Sequence, residues 1–376
     1  MAGAMTAVCA ADNIISPLGW TTEENIAAVL AGRSALMPHE GAFGLTEPFV
    51  ASLIDRTAVS ERFGADAGMY TVFEQMCILS IREAVSAAGI EASSAALVLS
   101  TTKANVDSLG TPRYVPPADS AARIAAAVGV ALPPLVVSNA CISGVCAQIE
   151  AKRILAGGKV PAVIVCGCDV QSRFIVSGFQ SFKALSPQEC RPFDASRCGL
   201  NLGEAAATVV YVAKDSTQSG GWILRSGAVR NDANHISGPS RTGEGSYRAL
   251  RHVTAGIAAE DLAFISAHGT ATPYNDEMES IAIERAGLLG VPVNSFKGYY
   301  GHTMGAAGVL ECILSMHAFD RGVIPATRGF GTLGVSRPVD VSAAVRDVPP
   351  HAMGFVKLIS GFGGCNAAAL FLKGEE

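Results

Sequence analysis

The chain has 376 residues with 28 Lys and Arg against 33 Asp and Glu, a formal charge of −5, which excludes a general electrostatic affinity for nucleic acid or for acidic membranes. Only 16% of residues are charged, against about 25% in an ordinary soluble domain, while 49% are hydrophobic and 40 are glycine. Mean hydropathy is +0.33, yet the longest apolar runs, 133–137 and 205–212, fall well short of the roughly 20 residues a spanning helix needs. A large buried core follows, with part of the surface covered by a second subunit. Residues 1–11 lack a basic start and a cleavage site, so a cytoplasmic chain is expected.

In chain order, β-branched runs at 95–100, 135–138, 162–166 and 206–212 alternate with helical stretches at 70–88 and 143–156, the pattern of an α/β protein with parallel strands buried on both faces. The pattern repeats. Residues 95–100 are answered by 262–267, 136–156 by 292–319, and 162–169 by 354–361. Two similar halves are therefore predicted, 1–215 and 216–376, with the seam in the polar stretch 214–221.

The ten cysteines include no C-x-x-C pair, which disfavours metal clusters and redox motifs and makes most of them small core residues. One stands apart. In Val137-Ser138-Asn139-Ala140-Cys141-Ile142-Ser143-Gly144 a strand ends, the chain turns, and a helix starts at or just after Cys141, with Gly157-Gly158 as its stop. The free N–H groups and dipole at a helix N-terminus favour a thiolate there. Two of the seven histidines also fall in Gly/Thr-rich turns: His268 in Ala267-His268-Gly269-Thr270-Ala271-Thr272-Pro273, and His302 in Tyr300-Gly301-His302-Thr303-Met304-Gly305. Each alone could simply cap a turn. Together with Cys141 they supply what thioester chemistry needs: a nucleophile, and two donors for the oxygen of an enolate formed beside a thioester carbonyl.

With these motifs, the opening Asn13-Ile14-Ile15-Ser16-Pro17-Leu18-Gly19, the runs Arg191-Pro192-Phe193-Asp194 and Gly203-Glu204-Ala205-Ala206, and the closing Gly361-Phe362-Gly363-Gly364-Cys365-Asn366-Ala367, the sequence resembles the decarboxylating β-ketoacyl-acyl-carrier-protein synthases of Cys-His-His type. The resemblance implies a thiolase fold of five layers, αβαβα. It implies that Cys141 accepts an acyl chain from a carrier protein, with the N–H groups of Cys141 and Phe362 as oxyanion hole and Phe362 as gate. His268 and His302 would hold the malonyl thioester, Lys297 would pair with Glu311, and Thr270 and Thr272 would bond pantetheine amides. Glu279, flanked by Asp276 and Glu277, matches an acidic position that helps order a water. No organic cofactor and no metal are implied. The expected partners are an acyl carrier protein, docked near Arg113, Arg123 or Lys183, and a second subunit forming a homodimer or a heterodimer with a chain-length-factor homologue.

The sequence departs from the family at Cys198, where an aspartate is usual, at Cys365, where threonine is usual, and in length around 107–134 and 182–191, segments that shape the acyl pocket and docking face. The run Ser100-Thr101-Thr102-Lys103-Ala104-Asn105-Val106 is similar to a branch tied to aryl polyene and flexirubin-type pigments. An active condensing enzyme in fatty acid or polyene/polyketide-type synthesis is the leading reading. A non-catalytic chain-length factor would usually lack the nucleophile, and a thiolase or initiating synthase acting on coenzyme A would replace one histidine.

Overall fold

A computed structural model describes residues 5–215, 220–232, 234–235 and 238–374; part of the expected seam, 216–219, lies outside them. Ten strands form the central sheet: β1 (Met5–Ile15), β2 (Ala96–Ser100), β3 (Leu135–Val137), β4 (Ala162–Asp169), β5 (Ala205–Asp215), β6 (Gly221–Asn231), β7 (Leu262–Ser266), β8 (Val293–Asn294), β9 (Gly354–Gly361) and β10 (Cys365–Gly374). Their order is β8-β7-β9-β10-β6-β1-β5-β4-β2-β3. Each strand of one five-strand set thus has a counterpart at the same place in the other, β1 with β6 through β5 with β10.

The strands are not all parallel, as the apolar runs suggested. β3, β2 and β4 are parallel, but β5 runs antiparallel to β4 and to β1. The second set repeats this, and there the reason is visible: β9 and β10 are joined by three residues, 362–364, and a connection so short can only make an antiparallel hairpin. The two sets meet through only two residue pairs of β1 and β6, Val8 with Ile223 and Cys9 with Trp222, so one ladder continues across both.

The ten α-helices of the described residues include α1 (Val72–Ala88), α2 (Pro117–Val128), α3 (Ser143–Ala156), α4 (Arg173–Ser181), α5 (Glu244–Val253), α6 (Pro273–Arg285) and α7 (Ala307–Asp320). Helices α1 and α2 cover the outer face of the first set, α5 and α6 that of the second, and α3 and α7 are sandwiched between the two sets. This is the five-layered thiolase fold. The ends of α1 are marked in the sequence: Thr71 and Glu74 form a capping box, and Gly89 closes the helix at φ +62°. Helix α3 stops at Gly157 and Gly158, the latter at φ +66°.

The central helices touch through glycine. A Cβ on Gly308 would stand 2.6 Å from the Val145 nitrogen, and one on Gly144 would stand 2.9 Å from the Val309 nitrogen. This contact brings the N-terminal ends of α3 and α7 together, and with them Cys141 and His302. Gly308→Ala is expected to cost about 1–3 kcal/mol by overpacking, read as a lower urea midpoint at unchanged m-value; an unchanged midpoint would show that the helices can separate freely.

Candidate active site

Cys141, His268 and His302 come from three separate turns and converge, with Sγ and one nitrogen of each ring all within 4.8 Å of one another. The two rings lie edge to face, centroids 4.9 Å apart at 81°. Backbone near each of these side chains is held at positive φ: Ala140, just before Cys141, at 44°, Ala271, three past His268, at 63°, and Met304, two past His302, at 54°. Such backbone is costly for residues with a Cβ and persists where surrounding contacts over-determine it.

Those contacts explain the motifs. Asn201 O accepts the His302 N–H at 2.7 Å and His302 O accepts the Gly203 N–H at 3.0 Å. A Cβ on Gly203 would fall 1.9 Å from Tyr300 O, so only glycine lets the His302 turn approach. Glu204, next in that run, is buried and accepts from the N–H groups of Ile54 and Gln171 and from Arg56. Asp276 accepts from the N–H groups of Phe193 and Ala271, tying the Arg191–Asp194 corner to the His268 turn. Burial pushes its carboxyl up to about 6. Glu277 by contrast binds Ser336 on the surface.

Glu279 holds the His268 turn from beneath. Its two oxygens accept the N–H groups of His268 and Gly269, each at 2.7 Å, and it also accepts from Asn275 Nδ2 at 2.8 Å. Burial, then the neighbouring Asp276, push its carboxyl up to about 7. Its hydrogen bonds go to protein donors, two of them the backbone N–H groups under His268, whose turn it fixes.

The electrostatics correct one expectation. Helix α3 begins at Ser143 with Ile142 as its cap, which places Cys141 outside the first turn. There burial outweighs the dipole, an effect confined to the end turn, and pushes the thiol up to about 12, with Cys365 adding to the rise and Lys297 and Lys103 opposing it. Cys141 therefore rests as a thiol. Both imidazoles are held well below the usual histidine range, chiefly by burial and then by the nearby Lys297. His302 is fixed further: its Nδ1 accepts the Met304 N–H at 3.3 Å, which leaves the hydrogen on Nε2, and that buried nitrogen has no partner among the described residues.

Lys297 and Glu311 are both buried, 1% and 2% exposed, and form an ion pair. The solvated alternative is excluded. Thr270 and Thr272 bond each other at 3.0 Å and line a cavity of about 450 Å³ together with Cys141, both histidines, Lys183 and Cys198. A second cavity of about 870 Å³ opens on the other side of Cys141, lined by Lys103, Leu109, Phe174 and Met304 among others. Phe362 borders both, stacked on Phe179 at 5.6 Å and edge-on to Phe182 at 5.7 Å.

The departures also have local answers. Cys198 is exposed and meets Ser186 Oγ at 3.3 Å, while Cys365 Sγ donates to Phe362 O at 3.2 Å, keeping a weak version of a hydroxyl bond. Among the docking candidates, Arg123 is engaged, its Nε donating to buried Glu74 at 3.0 Å, whereas Lys183 stands at the rim of the smaller cavity and Arg113 is exposed.

Sequence reasoning missed two buried groups. Asp169, at the end of β4, accepts from Thr101 Oγ1, Thr102 and the Gly305 N–H, clamping the Ser100–Val106 run onto the His302 turn. Lys357 lies in the middle of β9 with no exposure. The only local signal for either was a charge at the end of, or within, an otherwise apolar strand.

Fold and site together define a thiolase-fold protein with a Cys-His-His centre. The family described as Beta-ketoacyl synthase, N-terminal domain, matches residues 65–215, and Beta-ketoacyl synthase, C-terminal domain, matches 221–331. Nodulation protein E of Rhizobium meliloti is 31% identical over 265 residues, 68% of this chain and 65% of that one, so the match spans just under two thirds of that relative's length. A protein of Vibrio harveyi named 3-oxoacyl-[acyl-carrier-protein] synthase 2 is 27% identical over 96% of this chain and 97% of its own. Among solved structures, the ishigamide ketosynthase/chain length factor is similar with a TM-score of 0.85, 26% identity, and coverage of 99% of this chain and 100% of that one. A ketosynthase in complex with its chain length factor from Xenorhabdus doucetiae shares the fold at a TM-score of 0.82, 22% identity and 98% coverage of both chains. This chain belongs to the β-ketoacyl synthase family. No helix among the described residues is long and apolar enough to cross a membrane.

Proposed function

We propose that the protein is an active condensing enzyme, a 3-oxoacyl-[acyl-carrier-protein] synthase, and that Cys141, His268 and His302 are its catalytic residues. The observation that carries this reading is the convergence of a thiol and two neutral imidazoles between two cavities, with the His302 Nε2–H unpartnered. Cys141 Sγ attacks the thioester of an acyl carrier protein; the C–S bond to pantetheine breaks, and the thiol proton ends on the departing sulfur. The acyl chain then occupies the larger cavity and malonyl-pantetheine the smaller, its arm along Thr270 and Thr272. Loss of carbon dioxide leaves its electron pair as an enolate whose oxygen is held by the two imidazoles. The enolate carbon attacks the acyl-Cys141 carbonyl, the new C–C bond forms, and Cys141 leaves as thiolate to be reprotonated. Phe362 separates the cavities, and Gly363 and Gly364 at φ +85° and +72° give its loop the backbone freedom to move.

Lys183 at the rim is the cation best placed for the acidic carrier protein. A second subunit fits the edge strand β3, where Leu132 and Leu135 are both 42% exposed; a homodimer and a heterodimer with a related synthase both meet this need. The run Ser100–Val106 supports a polyene-type chain as substrate, and the two-part repeat supports a division into halves near 215–221. A chain-length factor is not favoured, because the complete centre is assembled. Incubation with acyl carrier proteins and intact-mass measurement should show one acyl adduct, lost in Cys141→Ala. An adduct surviving in that variant, or no adduct at any chain length, would sink the reading.

A further inference from the structure

Lys357 Nζ donates to three acceptors, Ser266 O at 3.0 Å, Ala267 O at 2.9 Å and Ser266 Oγ at 3.4 Å, and forms an ion pair with Glu311 Oε2 at 2.5 Å. A neutral amine has only two hydrogens, so this geometry fits the ammonium. Glu311 is also the partner of Lys297 through its other oxygen. Two buried cations therefore share one carboxylate, and the cluster carries a net positive charge. Ala267 is the residue before His268, so the same ammonium grips the backbone from which that imidazole projects, on the side opposite Glu279.

We infer that Lys357 is a positioning residue of the decarboxylation site, fixing the turn that carries His268 and, by sharing Glu311 with Lys297, leaving uncompensated positive charge facing both imidazoles. This rests on the condensing-enzyme reading and adds to it a residue outside its motifs. The field has a chemical use. His302 must stay neutral, because its Nδ1 accepts the Met304 N–H and a proton there would break that bond. It also favours an enolate, which is negative, over the neutral thioester carbonyl that precedes it.

The groups facing the imidazoles are few. Lys297 comes from the single turn Lys297–Tyr300, Lys103 from the loop after β2, Lys357 from β9, and the thiol of Cys141 from the turn before α3. The carboxylates are Glu279 and Asp276 from α6, both spent on backbone N–H groups, Glu311 from α7, held by the lysines, and Asp169 from β4, held by Thr101, Thr102 and Gly305. Burial is the main force lowering both imidazoles, and Lys357 acts in the same direction on each. Burial also lowers Lys357 itself, with Glu311 pulling it back towards the charged form.

The test uses Lys357→Met and Lys357→Gln in the full chain, scored for malonyl-carrier decarboxylation against pH and, separately, for acyl adduct on Cys141. Decarboxylation should fall by about tenfold or more at neutral pH, and its acid limb should move up by on the order of one pH unit because an imidazole relieved of a nearby cation protonates more readily. Acylation of Cys141 should stay within about threefold of wild type. Folded variants of both kinds with the wild-type pH profile would overturn the inference, as would a purely thermal loss of activity that vanishes when each variant is assayed below its own melting temperature. Should neither variant fold, nitrogen-15 spectra of the lysine side chains of the wild-type protein decide: Lys357 held as a neutral amine at pH 7 would overturn it, and Lys357 held as an ammonium would support it. A wild-type protein that never acylates Cys141 would instead refute the condensing reading itself.

Discussion

His302→Ala should lower decarboxylation of malonyl-carrier protein by about 100- to 1000-fold, the usual loss for one donor to a developing oxyanion, while Cys141 still accepts an acyl chain. The separation of effects follows from where the groups point. His302 Nε2 is a buried N–H with no partner among the described residues, and its other nitrogen is committed to Met304. On the proposed mechanism the acyl-transfer step relies instead on the backbone N–H groups of Cys141 and Phe362 to hold its oxygen. Carbon dioxide release and intact mass would be measured on the same preparation. An equal loss in both would show that His302 acts on the thiol and not on the enolate. A companion Cys141→Gln variant should lose condensation and keep decarboxylation, since the imidazoles are untouched.

Glu311→Leu should destabilise the fold by about 3–5 kcal/mol, the cost typical of removing one partner from a buried ion pair. The effect is expected at the top of that range because Glu311 is the carboxylate paired with two lysines, Lys297 and Lys357, each no more than 1% exposed. Leucine fills the space but leaves both ammonium groups facing apolar surroundings between the layers. Urea unfolding followed by far-UV circular dichroism would read the loss as a lower midpoint. Adding Lys297→Met and Lys357→Met to Glu311→Leu should recover much of it, since a fully apolar cluster has no stranded charge. A loss below about 1 kcal/mol in the single variant would mean that water reaches the cluster.

Much of this protein was legible in one dimension. The glycines at 157–158 mark a helix stop and those at 203, 305, 308 and 361 mark close approaches, because a missing Cβ matters wherever backbone meets backbone. The helix at 143–156 followed from spacing, which is a local property, as did the one expected at 70–88, which starts two residues later at Val72. Cys141, His268 and His302 stand out for the same reason: each sits in a turn whose residues announce it.

What tertiary structure alone decided are the properties that depend on partners far along the chain. Asp169 meets Gly305 across 136 residues, and Lys357 meets the Ser266 carbonyl across 91. A charge in an apolar strand reads the same whether it is satisfied or stranded, and only the fold supplies the acceptors. Arg123 could not be told from a docking cation until Glu74 was seen beneath it, 49 residues away. The state of the Cys141 thiol was likewise beyond the motif. The turn-to-helix setting promised a thiolate, but desolvation depends on everything packed around the sulfur, and here it outweighs the dipole. The sequence by itself determined which groups are candidates for the chemistry; the burial and the buried charges around them were set by packing.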